Sequence, residues 1–148
     1  MADPSAVGKE YPPFLWEVER GKIRELVRAI GDENPIYVDR EAAIKGGYKD
    51  CPASPTYITL PLMWRGFTDK VCRDMKINFA MVLHGEETYE YFREIYPGDV
   101  LTGRVKIVSM DSKSGKAGHM DIVRCEIIYT DQKNEPVLKV SNVLVERK

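Results

Sequence analysis

Residues 54–71, SPTYITLPLMWRGFTDKV, limit what this chain can fold into more than any other stretch. Ser54 and Pro55 pair an N-cap residue with one suited to a first helical turn, so a helix is expected to start there. Beyond them Tyr57, Ile58, Leu60, Leu62, Met63, Trp64 and Phe67 place apolar groups on nearly every side. A helix that is apolar all round has to be buried. Pro61 removes one backbone donor and is expected to kink it. The stretch therefore predicts a central helix wrapped by something else.

The wrapper follows in the sequence. MVLHGEETYEYFREI, DVLTGRVKIVSM, HMDIVRCEIIYT and VLKVSNVLVER are four long segments with partial period-two alternation. Val123, Cys125, Ile127 and Tyr129 make the clearest single face. The turn signals YPGD, DSKSGKAG and DQKNEP separate the segments, so successive strands are expected to pair antiparallel. Upstream, PFLWEVE reads as a short first strand. Ile23, Leu26, Val27 and Ile30 then repeat at helical spacing, with Gly31 and Pro35 ending that helix. Asp39 is expected to cap a short helix, REAAIKGG. A helical first half before a strand-rich second half is α+β, and a long antiparallel sheet curled around one buried helix is the hot-dog arrangement.

At 148 residues the chain suits one domain, 1–148, with a sizeable core. Its 22 basic and 23 acidic side chains nearly cancel, so nothing in the charge points to nucleic acid or an anionic membrane. No apolar run approaches the roughly 20 residues that span a bilayer, and the N-terminus lacks the pattern of a signal peptide. Cys51, Cys72 and Cys125 are odd in number and show no CxxC spacing, which argues against disulfides and zinc. A cytoplasmic protein with buried, reduced thiols and no membrane span is the expectation.

Three stretches carry a family resemblance: GDENPIYVD, KDCPASPT and VLHGEETYEYFREIYPGDVLTG. Together they resemble the MaoC-like dehydratases, which include (R)-specific enoyl-CoA hydratases and 3-hydroxyacyl dehydratases. The match is closest to the N-terminal half of two-domain members, or to the separate non-catalytic subunit of heterodimeric ones. It runs from about residue 14 to the C-terminus. The resemblance implies a hot-dog fold, acyl-CoA or acyl-carrier-protein thioesters as substrates, and two hot dogs paired into a larger sheet, as a homodimer or a heterodimer. No cofactor is implied. In catalytic members the loop reads G-D-x-N-P-x-H. Here Gly31, Asp32, Asn34 and Pro35 match it, and Tyr37 stands in the histidine's place.

That exchange matters chemically. Hydrating an enoyl thioester needs a base for water, an acid at the alpha carbon, and donors for the enolate-like oxygen. In the family an Asp and a His hold one water between them. A phenol has a reference pKa near 10, so about 0.1% is ionised at pH 7, and Tyr37 is a poor resting base. Asp32 acting alone would lack a positioned proton carrier, typically worth about 10²–10⁴ in rate. A second departure lies at Ser54–Pro55, where catalytic members usually have His-Gly. Proline offers no N–H, which leaves the Thr56 and Tyr57 amides at the expected helix start as oxyanion donors. Trp64, with Tyr57 and Phe67, is core by spacing, and the resemblance adds an acyl tunnel beside this helix.

Two histidines complete the candidates. His84 and Glu86 are expected on one strand face, two residues apart, with a structural role. His119, beside a glycine-rich turn, is expected to be solvated. With those histidines far apart no metal site is expected. Three functions remain: a hydro-lyase or its acyl-binding subunit, a hot-dog acyl-CoA thioesterase, and a non-enzymatic acyl-thioester binding protein. The thioesterase usually places a carboxylate on or near the central helix, and SPTYITLPLMW has none. The subunit reading, with a partner supplying Asp and His, ranks above a self-sufficient homodimer using Asp32.

Overall fold

A computed structural model describes residues 2–115 and 118–147. The chain runs through β1 (Phe14–Glu17), α1 (Arg20–Ala29), α2 (Arg40–Lys45), α3 (Thr59–Trp64), α4 (Phe67–Asp74), β2 (Val82–Tyr91), β3 (Val100–Gly115), β4 (Gly118–Thr130) and β5 (Pro136–Arg147). The five strands form one antiparallel sheet in the order β1-β3-β4-β5-β2. β3, β4 and β5 are a meander, as their short connections predict. β2 departs from the expected succession. It skips β3 and pairs with β5, which makes it the far edge of the sheet.

One face of the sheet closes on the helices. Val123, Cys125, Ile127 and Tyr129 are all buried, as their alternation predicts, and join Val105, Ile107, Leu138 and Val140 in a single core. Tyr57, Ile58, Leu62, Phe67, Val71, Cys72 and Met75 supply the helical side. The fold is the α+β hot dog.

The central segment differs from its expectation in three ways. Ser54 does not cap a helix: residues 55–58 form turns, α3 begins at Thr59, and the buried Ser54 hydroxyl has no hydrogen-bond partner among the described residues. Pro61 does not kink α3, because it sits in the first turn, where backbone N–H groups have no helical acceptor anyway. The break comes instead at Gly66, whose φ of 58° separates α3 from α4 and favours a residue without a Cβ. Nor is the segment buried on every side. Met63 is 73% exposed and Trp64 68%.

Elsewhere local chemistry sets the boundaries. Asp39 caps α2, its carboxylate accepting from the Glu41 and Ala42 amides. Ile23 and Val27 bury the inner face of α1 and Leu26 packs against the core, whereas Ile30 has already left the helix and is exposed. Among the described residues no helix is long and apolar enough to cross a membrane.

Candidate functional site

The loop that follows α1 is held by its own polar side chains. The Asp32 amide donates to the Val27 carbonyl at 2.8 Å, which ties the loop to α1. Asp32 Oδ1 accepts from the Asn34 amide at 2.9 Å, and Asn34 Oδ1 accepts from the Ile36 amide at 3.2 Å. Asn34 thereby caps the single 3₁₀ turn Pro35–Tyr37. Both side chains carry out the local loop bonding that their residue types favour. The turn delivers Tyr37 close enough to Asp32 for the carboxylate to raise the phenol's pKa, although burial is the larger cause. Both effects keep Tyr37 protonated.

Tyr37 lines a recess of about 180 Å³ with Tyr48, Pro52, Ala53, Pro55, Tyr91 and Glu94. The Tyr91 hydroxyl donates to the Pro55 carbonyl at 2.6 Å, and burial, then Glu94, pushes its pKa up. The wall from 50 to 55 is anchored at Asp50. This carboxylate takes a two-pronged contact from Arg20, at 2.9 and 2.6 Å, and accepts from the Cys51 amide. Arg20 holds the Asp50 pKa at about 2.

The expected oxyanion donors lie elsewhere in the same segment. The Tyr57 amide is spent on the Ser54 carbonyl at 2.9 Å, and the Tyr57 ring is fully buried, its hydroxyl 3.4 Å from Trp16 Nε1. Thr56 is exposed, and its carbonyl accepts from the Thr59 amide and hydroxyl. Trp64 stands on the surface, edge-on to Trp16 with Lys22 Nζ 4.3 Å over its ring.

A second recess, about 300 Å³, lies between α3–α4 and the β2–β5 pair, lined by Thr59, Leu62, Met63, Phe67, Thr68, His84, Glu87 and Asn142. The expected partner of His84 is wrong here. The β2–β5 register shifts between His84 and Glu86, so the strand period slips by one at Gly85. His84 Nε2 therefore sits 3.6 Å from Glu87 Oε2, and Asn142 Nδ2 lies 2.8 Å from the same ring nitrogen. Period-two reasoning missed Glu87 because a bulge leaves no apolar signature. The glycine inside a strand pattern was its one available signal.

His119 is not solvated either. Its Nε2 lies 3.0 Å from the fully buried Asp121 and its Nδ1 2.9 Å from the Ser114 hydroxyl. Asp121 also accepts from the Ala2 amide and the Ser112 hydroxyl. The three cysteines are free and buried. Among the described residues no group of three His, Cys, Asp or Glu is placed to hold a metal ion.

Comparison with known proteins agrees with this fold. Residues 5–140 match the family described as FAS1-like, dehydratase domain region. A UPF0336 protein of Streptomyces avermitilis is 36% identical over 98% of this chain and 95% of its own length. One of Saccharopolyspora erythraea is 37% identical over 98% and 91%. Among solved structures, a MaoC-like dehydratase superposes with a TM-score of 0.80 and 28% identity, over 97% of this chain but only 43% of its own. The C-terminally truncated HadBC (3R-hydroxyacyl-ACP dehydratase) complex of Mycobacterium tuberculosis gives 0.77 and 24%, over 95% and 96%. The ChsH1–ChsH2 complex from the same organism gives 0.75 and 24%, over 94% and 84%.

Proposed function

The chain belongs to the FAS1-like dehydratase domain family, and on that premise we propose that it is the acyl-binding subunit of an (R)-specific enoyl-thioester hydratase or 3-hydroxyacyl-thioester dehydratase. A second hot-dog chain supplies the intact Asp/His pair. The observation that carries this reading is Tyr37, a phenol kept protonated in the position of the family's catalytic histidine. Asp32 remains beside it, its Oδ1 accepting from the Asn34 amide, so the loop keeps its fold while the histidine half of the family's pair is replaced.

The need for a partner finds support at the sheet edge. β2 is a ten-residue edge strand whose outer side pairs with no strand among the described residues. Leu83, Met81 and Phe79 are exposed on or beside it. A long edge strand left open, with exposed apolar side chains at its start, is commonly covered in stable proteins. The MaoC-like chain of which this one matches 43% has room for a second domain of similar size. HadBC is itself a complex.

The test is turnover of an enoyl thioester followed by its absorbance. The chain alone is expected to be inactive, and activity is expected once a second hot-dog chain with an intact GDxNPxH loop is added. Turnover by the chain alone, abolished by Asp32→Asn, would overturn the subunit reading in favour of a self-sufficient enzyme.

A further inference from the structure

The recess beside Tyr37 is lined largely by electron-rich groups. Three of its seven lining residues are tyrosines, Tyr37, Tyr48 and Tyr91, and its one charged residue is Glu94. Beyond the effect of burial, Glu94 raises the pKa of both Tyr37 and Tyr91, so its carboxylate stands within electrostatic reach of two phenols. Tyr48 acts on Tyr37 in the same direction. The four side chains converge on one space of about 180 Å³.

That lining gives an anion little to bind. Pro52 and Pro55 have no N–H. The Tyr37, Tyr48 and Ala53 amides donate to the carbonyls of Asn34, Ala43 and Ile95, and the Tyr91 hydroxyl is committed to Pro55. Among the described residues no lysine or arginine lines the recess. The basic side chains nearest in sequence are engaged elsewhere: Arg93 with Asp99 and Asp131, Arg40 with Asp50, and Lys49 over the Tyr96 ring at 4.4 Å. Glu94 is left without an ion pair among the described residues.

The same lining separates one cation from another. A primary ammonium brings three N–H donors and a tightly held hydration shell, and burying it requires acceptors for all of them. Pro52, Ala53 and Pro55 supply apolar wall instead. A quaternary ammonium has no N–H to satisfy, and aromatic rings attract it through their electron-rich faces. About 180 Å³ is the share of liquid volume of roughly six waters, which accommodates a trimethylammonium head.

We propose that this recess binds a small quaternary ammonium ion, with its methylated head among Tyr37, Tyr48 and Tyr91 and Glu94 as the counter-charge. The phenol at position 37 is then a ligand-binding group. An imidazole there would gain positive charge near neutrality and repel the same ion. The site does not depend on the acyl-binding reading, since it takes the cation with or without a catalytic partner.

The matched probes are choline and 3,3-dimethyl-1-butanol, which share one shape and differ by a charged nitrogen in place of a carbon. Each is titrated into the full chain at one fixed ionic strength. Calorimetry reads the affinity, and NMR follows the tyrosine ring signals. Choline is expected to bind roughly tenfold more tightly than the neutral alcohol and to shift the Tyr37, Tyr48 and Tyr91 signals. Ethanolamine, the primary ammonium of the same backbone, is expected to bind more weakly than choline. Glu94→Gln, at an exposed position, is expected to remove most of the preference for charge while the alcohol still binds. Choline no tighter than its neutral isostere, ethanolamine at least as tight as choline, or ring signals that stay still overturns the proposal, and none of these readings needs a variant. A preference that survives Glu94→Gln unchanged overturns it as well.

Discussion

His84 Nε2 lies 3.6 Å from Glu87 Oε2, three residues along the same strand, although strict alternation would put those side chains on opposite faces. The register shift at Gly85 turns Glu87 inward, where Asn142 reaches both residues. One backbone irregularity thus assembles the polar side of the α3–α4 recess. Its cause is steric, because Gly85 packs directly on the neighbouring strand β5.

Gly85→Ala is therefore expected to be costly. A Cβ at this position would meet Val145 Cγ2 at 2.9 Å and the Val143 carbonyl oxygen at 3.2 Å. The first neighbour can rotate, but the second is backbone and the strand has to move. Overpacking of this kind costs roughly 1–3 kcal/mol. Urea denaturation should show that loss, and the His84 ring signals should shift as its contact with Asn142 alters. Unchanged stability would mean the bulge is not held by packing.

Arg20 and Asp50 join α1 to the 50–55 segment, and their pair sets the acid limit of that wall. The Asp50 pKa falls to about 2 in the folded chain, from an ordinary 3.8. A carboxyl with a depressed folded pKa stabilises above its unfolded value and loses that contribution as pH falls through the folded one. Stability should thus decline between about pH 4 and pH 2. Arg20→Met is expected to cost roughly 1 kcal/mol at pH 7, a modest figure because the arginine is about a third exposed. It should also flatten the curve in the acid window, as denaturation at several pH values would reveal.

Asp121 gathers the Ala2 amide, the Ser112 hydroxyl and His119 around a fully buried carboxylate. Removing it strands those donors. Asp121→Ala is expected to destabilise by roughly 2–4 kcal/mol and to release the N-terminal residues to limited proteolysis. Stability within 0.5 kcal/mol of the parent chain would show the network to be dispensable.

The framework was legible where side-chain periodicity is strict. Val123, Cys125, Ile127 and Tyr129 alternate on one face, and all four are buried. Asp39 reads as a cap and caps. Legibility ended where a residue's role depends on its neighbours in space. Met63 and Trp64 look like core by type, yet they stand on the surface once Gly66 breaks the helix. β2 looks like the neighbour of β3 by succession, yet it pairs across with β5. For the site, the GDxNP residues marked the loop, and the exchange at Tyr37 was visible in one letter. Glu94, Tyr48 and Tyr91 were not visible, because the recess they share with Tyr37 is built from three separate segments.

The buried thiols predict the alkaline limit. Burial is the main cause that raises both, taking Cys125 from 9 up to about 12 and Cys72 upward as well. A group whose proton is held more tightly in the folded state stabilises fully below its unfolded pKa and loses that contribution as pH climbs toward the folded value. Stability should therefore fall from about pH 9 upward, by about 1.4 kcal/mol per pH unit for each thiol ionised only on unfolding. Six tyrosines whose pKa is also raised steepen the same decline as pH nears 10, so the thiol's share is read from the difference between the parent chain and a variant lacking it. Cys125→Val is expected to reduce the slope in that window, and an unchanged slope would rule out this thiol as its source.

The last prediction concerns the outer edge of β2. Leu83 is 50% exposed and makes no part of the core cluster, so a charge there should leave the fold intact. Leu83→Lys is accordingly expected to change unfolding stability by less than about 0.5 kcal/mol. The same lysine placed on an edge strand is a device by which proteins prevent strand pairing, because docking a second sheet would bury its charge. Association should then weaken sharply, whether the second chain is another copy or a catalytic hot dog. Sedimentation at several concentrations reads the first case, and co-purification with the catalytic chain reads the second. If both assemblies persist with Lys at position 83, the β2 edge is not where the partner sits.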